Sequence, residues 1–398
     1  MATNVYGNGI NSTVGENTIK HYYDRAGIKA ANRVNIYGQF ADRRSMPKRM
    51  GKTFKISKFL HMYDRSVGDA DFASKGYLTN RTASEVSTAL TNAALAEGAG
   101  AVNKRTLQKV TVETSLARYG EMIDYTDEVE LFSEDQMQVR YREELGELAN
   151  SRYEDLIQLD MLGTPTVMFA GSATSNATLG ATQADGSDDN DYKVSYDLIR
   201  KAVKLLVHNR AKRNTELVTG STKIDTRTIN KSFFAIVGPD VKADLEVLTK
   251  GSSYATESAW IPAYKYAAAG SLAEGEVGYI HEVRFIESES AVVYDNGAVP
   301  PQNYTGTLNV IGATDLTSAT AADRGHFAVY PILFPTQGSF ATVGLKGQGK
   351  IKFNSKSPAE VENANPYGTN GFFSYNFFYA GIILQPERLL RVMVCASK

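Results

Sequence analysis

The chain has 398 residues, of which 42% are hydrophobic and 22% are charged, and its formal net charge is -1. This composition is typical of a globular protein with two or three compact regions, and it excludes disordered, fibrous and membrane-embedded classes. The single cysteine, Cys395, excludes an internal disulfide and a thiolate metal cluster, and the longest apolar runs are far shorter than the roughly 20 residues of a membrane-spanning helix.

The amino-terminal part of the chain is polar at first and then strongly basic. Residues 1–18 have no basic stretch followed by an apolar one, which predicts a flexible arm rather than a secretion signal, and a protein that stays in the cytosol. Eleven Lys and Arg stand against two Asp between residues 20 and 60, a local balance of +9. Such a cluster attracts phosphates without reading sequence, or meets an acidic surface, so nucleic acid and a partner protein are both candidate ligands.

The basic segment, residues 43–58, leads into a predicted excursion of the chain. Alternating residues predict a strand over Thr53–Phe59, with Phe54 and Ile56 on one face, and a partner strand over residues 106–115. The segment between the strands is rich in Ala, Ser, Thr, Asn and Gly and has little capacity to form a core. Because loops of this length are uncommon and usually functional, we expect a long, projecting, two-stranded excursion.

A long acidic helix is predicted next. Ser133 and Gln136 form a capping-box pattern, and apolar residues recur after them at helical spacing to about residue 162. The residues assigned to this apolar stripe are Met137, Tyr141, Leu145, Leu148, Leu156 and Leu159. At about 1.5 Å per residue, this helix would be about 45 Å long. Residues 121–160 contain thirteen carboxylates and three arginines, a local balance of -10. Two oppositely charged blocks in a near-neutral chain are expected to meet, within one subunit or between neighbours.

The remaining elements mix helices and strands without a regular alternation. The pattern predicts a second amphipathic helix over residues 196–210, then a strand over 233–237 that leads into a helix beginning at Pro239. One strand is predicted over 279–287, a loop over 296–325, strands over 327–345, and apolar strands over 373–384 and 389–394. The chain is therefore expected to be of mixed α and β class, with no internal repeat.

The patterns that carry enzymatic chemistry are weak in this chain. Its five histidines are scattered, and Cys395 has no neighbouring histidine. The run DGSDDND at 185–191 lacks the Glu that closes a calcium loop, so a solvated loop is favoured over weak cation binding. The glycines of GLKGQGK at 344–350 favour a β-turn, and the aromatic run near 372–379 favours core or interface packing over base stacking. No catalytic, metal-binding or cofactor-binding residue is predicted.

Short motifs along nearly the whole chain carry a family resemblance. They are MPK and GKT between 46 and 53, AEG at 96–98, YGE at 119–121 with TD at 126–127, VGPDVKADL at 237–245, GEVG at 275–278, VRFI at 283–286, NPYG at 365–368, AGIIL at 380–384 and LLRV at 389–392. In this order they resemble the major capsid protein of tailed phages, which has the Hong Kong 97-type fold, and more narrowly that of the N-four-like podophages. Residues 64–92, 213–230 and 298–325 do not align with that family.

The resemblance implies an α+β fold with five segments. They are an N-terminal arm (1–50), an extended loop that forms the two-stranded excursion (51–117), a peripheral domain with the long spine helix (118–200), an axial domain (201–325) and a return to the peripheral domain (326–398). It also implies a subunit that assembles into hexamers and pentamers of an icosahedral head enclosing double-stranded DNA. The protein would be a virion component assembled in the host cytoplasm, and not an enzyme.

The partners implied by the resemblance are other copies of the chain, a portal, a scaffold or decoration protein, and DNA bound without sequence specificity; no membrane and no cofactor are implied. Because the arm and extended loop of such shells cross adjacent subunits, we expect the basic segment to meet a neighbour's acidic surface, and nucleic acid becomes its second candidate ligand. The residues assigned to this contact are Arg43, Arg44, Lys48, Arg49, Lys52, Lys55 and Lys58 on one side and Glu128, Glu134, Asp135, Glu143, Glu144 and Glu147 on the other.

Two alternatives remain at this point. One is a nanocompartment shell of the same fold, which would lack a DNA-packaging portal. The other, from a different class, is a soluble α/β enzyme or nucleic-acid-binding protein whose site the sequence does not reveal.

Overall fold

A computed structural model describes residues 5–6, 10–11, 36–59, 83–95, 97, 107, 109–132, 137–218, 226–250, 257–266, 272–347, 351–358 and 365–398. Its α-helices are Ala83–Ala93, Asp127–Phe132, Met137–Leu162, Asp189–Tyr192, Tyr196–His208, Pro239–Glu246 and Ala263–Tyr266, and its 3-10 helices are Tyr37–Phe40, Asn176–Thr178, Ala321–Arg324 and Pro386–Arg388. Two minor strand pairs join Val5–Tyr6 to Ile10–Asn11 and Val310–Ile311 to His326–Phe327.

An eight-stranded sheet forms the centre of the fold. Its strands run in the order Ile261–Pro262, Glu276–Ile280, Val283–Glu287, Thr226–Val237, Tyr330–Phe334, Leu390–Val394 and Val167–Phe169, with Asn214–Val218 also paired to Thr226–Val237. The predicted strand at 233–237 and the helix that begins at Pro239 are both present, and Pro239 occupies the first turn of that helix. The sheet therefore joins segments that are far apart in the sequence.

The two faces of the eight-stranded sheet contact different helices. Phe233, Ala235 and Val237 belong to one apolar core, into which Tyr196–His208 and Pro239–Glu246 also insert side chains. Phe234 and Ile236 belong to a second core, shared with the helix Met137–Leu162 and with residues 36–41. Since successive side chains of a strand point to opposite faces, the sheet separates the two helical layers.

A five-stranded sheet lies against the long helix. It consists of Lys352–Lys356, Asn370–Ile383, Phe340–Leu345 and Asp42–Met46, in that order, with Ala117–Thr126 also paired to Asn370–Ile383. On the longest strand Phe373, Tyr375, Phe377 and Tyr379 are buried, and the ring of Tyr153 on the helix lies 5.7 Å from that of Phe377. The aromatic run is therefore packed in the core, as predicted.

The predicted excursion has paired strands at its base. Thr53–Phe59 pairs with Lys109–Ser115 in antiparallel register, and we call this pair the extended hairpin. Phe54 and Val112 pack against a small core of the five-stranded sheet, whereas further out Phe59 is 62% exposed. The two predicted strands are present, and the segment between them also contains the helix Ala83–Ala93, which was not predicted. That helix has few large apolar residues, so its sequence shows no clear helical periodicity of apolar positions.

The long helix, Met137–Leu162, is called the spine helix here. Its 26 residues span about 39 Å. The predicted capping residues Ser133 and Gln136 lie outside the described residues. Leu145 is buried as predicted, but Leu159 was wrongly assigned to the apolar stripe and is 57% exposed, because the buried positions near the end of the helix are Ile157 and Met161.

The single strand predicted over residues 279–287 is in fact a tight hairpin. Glu276–Ile280 and Val283–Glu287 pair with each other, and the chain reverses at His281 and Glu282. His281 adopts a left-handed conformation with φ of 56°. The prediction failed because neither turn residue is Gly, Asn, Asp or Pro, which are the residues that usually mark a turn.

Candidate intersubunit surfaces

The basic segment occupies one edge strand and the turn that leads to the extended hairpin. Arg43 and Arg44 are exposed on Asp42–Met46, which pairs in parallel with Phe340–Leu345. Lys48, Arg49 and Lys52 are exposed in the turn, where Arg49 has a φ of 66°. These three cations have no carboxylate partner within the part of the chain that the structure describes. They are therefore the cations of the segment best placed to meet another molecule.

Two lysines of the segment form ion pairs inside the subunit. Lys55 lies 2.7 Å from Glu113 across the extended hairpin, and Lys58 lies 3.2 Å from Glu387. The second pair is largely shielded from solvent, so it attaches the hairpin to the turn before the last strand. Neither Glu113 nor Glu387 belongs to the predicted acidic surface. Lys55 and Lys58 are accordingly less available to a neighbouring subunit than the sequence indicated.

The acidic residues assigned to the contact are mostly on the surface. Glu128, Glu143 and Glu144 are exposed, and Glu147 is partly exposed. Glu143 lies 3.5 Å from Arg140 on the same helix, a solvent-exposed pair of the kind that contributes little to stability. Glu134 and Asp135 lie outside the described residues. We call Glu128, Glu143, Glu144 and Glu147 the acidic surface.

Other carboxylates of the same block have internal roles. Glu121 lies 3.1 Å from Arg152 of the spine helix. Glu154 is buried and accepts hydrogen bonds from the backbone N–H groups of Tyr37 and Gly38, at 2.9 and 3.3 Å. Counting charges along the sequence therefore overestimates the negative charge that this region presents to a partner.

Asp160, near the end of the spine helix, is partly buried. Its Oδ2 accepts a hydrogen bond of 2.8 Å from the hydroxyl of Tyr379, and the carboxylate also accepts from the backbone N–H of Gly381. A Cβ atom at Gly381 would lie 2.1 Å from Oδ2, so only glycine permits this close approach. Burial nevertheless outweighs the two hydrogen bonds and raises the pKa of Asp160 above its ordinary value.

Replacing Asp160 by Asn is expected to change how stability depends on pH. Because the pKa of Asp160 is higher in the folded chain than in the unfolded one, its stabilising contribution is complete below the unfolded pKa of about 3.9 and is lost as pH rises through the folded pKa. The free energy of unfolding of the wild type, relative to Asp160→Asn, should therefore decrease from acid to neutral pH in urea titrations. An increase would mean that the hydrogen bonds outweigh burial.

The loop DGSDDND at 185–191 is only partly exposed to solvent. Asp185 and Asp191 are exposed, as predicted, but Asp189 is buried. Its carboxylate accepts hydrogen bonds from the Tyr304 hydroxyl, at 2.9 Å to Oδ2, and from the Thr307 hydroxyl, at 3.0 Å. The prediction was wrong for Asp189 because Tyr304 and Thr307 follow more than a hundred residues later. Asp189 connects the two loops.

Other features that the sequence left open have structural explanations. Burial raises the pKa of the Cys395 thiol to about 12, so a thiolate nucleophile is disfavoured there. Gly347 lies in a turn with φ of 72°, which fits the predicted β-turn.

Among the residues that the structure describes, no group of three or more His, Cys, Asp and Glu is placed to hold a metal ion. In the same ranges, no helix is both long and apolar enough to cross a bilayer.

Comparisons with known proteins agree with this architecture. No protein-family model matches the chain. The major capsid protein of Pseudomonas phage KPP21 is 27% identical over 411 residues, covering 98% of this chain and 95% of that protein.

Solved phage capsids have a similar fold at low sequence identity. The capsid of Ralstonia phage GP4 matches with a TM-score of 0.56 at 10% identity over 96% of both chains. The capsid of cyanophage P-SCSP1u matches with a TM-score of 0.52 at 10% identity, over 98% of this chain and 97% of that one. The head of Helicobacter pylori bacteriophage KHP40 matches with a TM-score of 0.51 at 10% identity, over 98% and 99%.

The chain thus has the α+β, Hong Kong 97-type fold of phage capsid proteins. Together with the near-full-length relative, this confirms the resemblance to tailed-phage major capsid proteins, and it supports a shell-forming structural role in the virion capsid. An enzyme or a nanocompartment shell is not favoured by these likenesses. The narrower assignment to the N-four-like podophages stays a prediction.

Proposed function

We propose that this chain forms the hexamers and pentamers of an icosahedral head that encloses double-stranded DNA. The extended hairpin is the observation that supports the proposal most directly. Its strands pair only with each other in the described part of the chain, and the helix Ala83–Ala93 between them is mostly exposed. Leu90 and Leu95 are 68% and 74% exposed, so the excursion leaves apolar side chains without a core. A neighbouring subunit would supply the missing contact surface.

Within such a shell, the basic segment would meet the acidic surface of an adjacent copy. The structure supports this proposal through the exposure of Lys48, Arg49 and Lys52 on one side and of Glu143 and Glu144 on the other. Arg43, Arg44, Glu128 and Glu147 extend the two surfaces. Electrostatic contacts of this kind set the register between partners and discriminate against wrong ones.

The five-segment division into arm, extended loop, peripheral domain, axial domain and return is part of the same proposal. So are the remaining partners: a portal, a scaffold or decoration protein, and packaged DNA held without sequence specificity. Assembly would take place in the host cytoplasm.

Negative-stain microscopy of the purified chain tests the proposal. Shells, tubes or ring-shaped capsomers are expected; small monodisperse particles under all assembly conditions would contradict it.

A double variant, Leu90→Gln with Leu95→Gln, should assemble poorly while its thermal unfolding as a free subunit stays unchanged, because both side chains are exposed before assembly. Val247→Gln is a matched control, since Val247 is equally exposed, at 77%, outside the extended hairpin.

A further inference from the structure

A second strongly basic stretch lies in the helix Tyr196–His208 and the turn that follows it. Residues 198–215 contain six Lys and Arg and no carboxylate. The helix is amphipathic. Its sequence was interpreted from the spacing of the apolar residues alone, so this charge was not noted there. The six cations are Arg200, Lys201, Lys204, Arg210, Lys212 and Arg213, and we call them the cationic surface.

The helix orients the cations away from the core. Leu198, Ala202 and Leu206 are buried against the eight-stranded sheet, while Arg200, Lys201 and Lys204 are exposed on the opposite side. Arg200 and Lys204 are one helical turn apart, about 6 Å along the axis. The arrangement is a row of charges on a rigid support.

The cationic surface cannot be neutralised by the acidic surface of its own subunit. The helix Tyr196–His208 packs on the sheet face that carries Phe233, Ala235 and Val237. The spine helix packs on the other face, with Phe234 and Ile236. The eight-stranded sheet thus lies between the two surfaces and gives the subunit a basic side and an acidic side.

Local ion pairs balance only part of the cationic surface. Arg200 lies 3.4 Å from Asp197, and Arg213 is paired with Glu282. Lys201, Lys204 and Lys212 have no carboxylate partner in the ranges that the structure describes.

The positive charge continues beyond the helix. The ring of Tyr196 contacts that of His281, at 6.2 Å between centroids. His281 lines a cleft together with Arg213, Lys231, Glu282 and Arg284, in which Arg213 is paired with Glu282 and the buried Arg284 with Glu276. The cleft therefore adds one exposed cation, Lys231, beside the cationic surface.

We propose that the cationic surface binds the backbone phosphates of the packaged double-stranded DNA. This inference rests on the proposed enclosure of DNA, and it assigns that contact to Lys201, Lys204 and Lys212 instead of the basic segment. Lysine is a mobile point charge that suits phosphates without reading base edges, which fits binding that is independent of sequence. Each copy contributes a weak contact, and the many copies of a shell make the sum large.

The test measures DNA binding by the full-length, unassembled subunit. Fluorescence anisotropy with a short duplex of random sequence is compared between wild type and the triple variant Lys201→Gln, Lys204→Gln and Lys212→Gln. Each lost phosphate contact lowers the slope of log affinity against log salt by about 0.9, so the slope should fall by about 2.7 and affinity by roughly 500-fold near 0.1 M salt. Glutamine has a helix propensity close to that of lysine, so the helix should persist.

A matched control removes the same charge elsewhere. Lys109, Lys265 and Lys352 are also exposed, and their joint replacement by Gln should leave the salt slope within about one unit of the wild type. Equal losses in the two triple variants would overturn the proposal, because they would indicate an effect of net charge alone. An unchanged slope in the Lys201, Lys204 and Lys212 variant would also overturn it.

The assembled particle separates this inference from the proposed function. Intact empty shells should not bind the duplex on their outside, because the cationic surface would face the interior. Binding to intact shells that the triple substitution abolishes would place the surface outside and overturn the proposal. If shells form but the unassembled subunit does not bind DNA, this inference fails while shell formation stands; if no shell forms, the proposed function itself fails.

Discussion

Reversing the charge of Lys48, Arg49 and Lys52 to Glu is expected to abolish shell assembly while leaving the subunit folded. All three side chains are exposed in the turn before the extended hairpin, so their replacement disturbs no core contact. In a shell, they would face the acidic surface of a neighbour, and like charges across an interface cost several kcal/mol. Lys55 and Lys58 are better left unchanged, since their ion pairs with Glu113 and Glu387 lie inside the subunit.

The experiment includes a charge-swap rescue. Negative-stain microscopy and sedimentation should find only small species for the basic-segment variant, with an unchanged circular dichroism spectrum. Adding Glu143→Lys, Glu144→Lys and Glu147→Lys in the same chain should restore shells, because every interface would again pair opposite charges. Normal shells from the first variant, or no recovery in the combined one, would refute the contact between these two surfaces.

Much of the fold could be predicted because local patterns and long-range packing agree. The strand Thr53–Phe59 and the helix that begins at Pro239 have clear periodicity or a clear start signal, and both are present. The hairpin turn at His281 has no such signal, because tertiary packing and not a turn residue sets its backbone conformation. The exposed position of Leu159 was missed for a related reason, since the sheet selects which side of the spine helix is buried.

The candidate surfaces were only partly predictable from charge. A count along the chain gives Glu154 and Glu143 the same weight, yet one is buried under residues 36–41 and the other faces solvent. The count also misses that Lys58 is paired with Glu387, which is 329 residues away. The charges of the cationic surface can be counted directly from the sequence. Its separation from the acidic surface cannot, because that depends on which face of the eight-stranded sheet each helix covers.

Replacing Glu154 by Ala should cause a large loss of stability. The side chain is buried in the spine helix, and its two oxygens accept the backbone N–H groups of Tyr37 and Gly38. Each buried donor left without an acceptor costs about 1–3 kcal/mol, so the free energy of unfolding should fall by about 2–6 kcal/mol in urea titrations of the free subunit. Glu154→Gln retains one acceptor oxygen and should lose roughly half as much.

Glu147→Ala, on the same helix but partly exposed, provides the control, and its effect should stay within about 0.5 kcal/mol. Equal effects at the two positions would contradict the anchoring role of Glu154. The anchor also bears on assembly, because residues 36–41 lead directly into the strand Asp42–Met46 and the basic segment. A subunit that lacks the anchor would present Lys48, Arg49 and Lys52 less rigidly, so the temperature at which shells still form should fall more for Glu154→Ala than for Glu154→Gln.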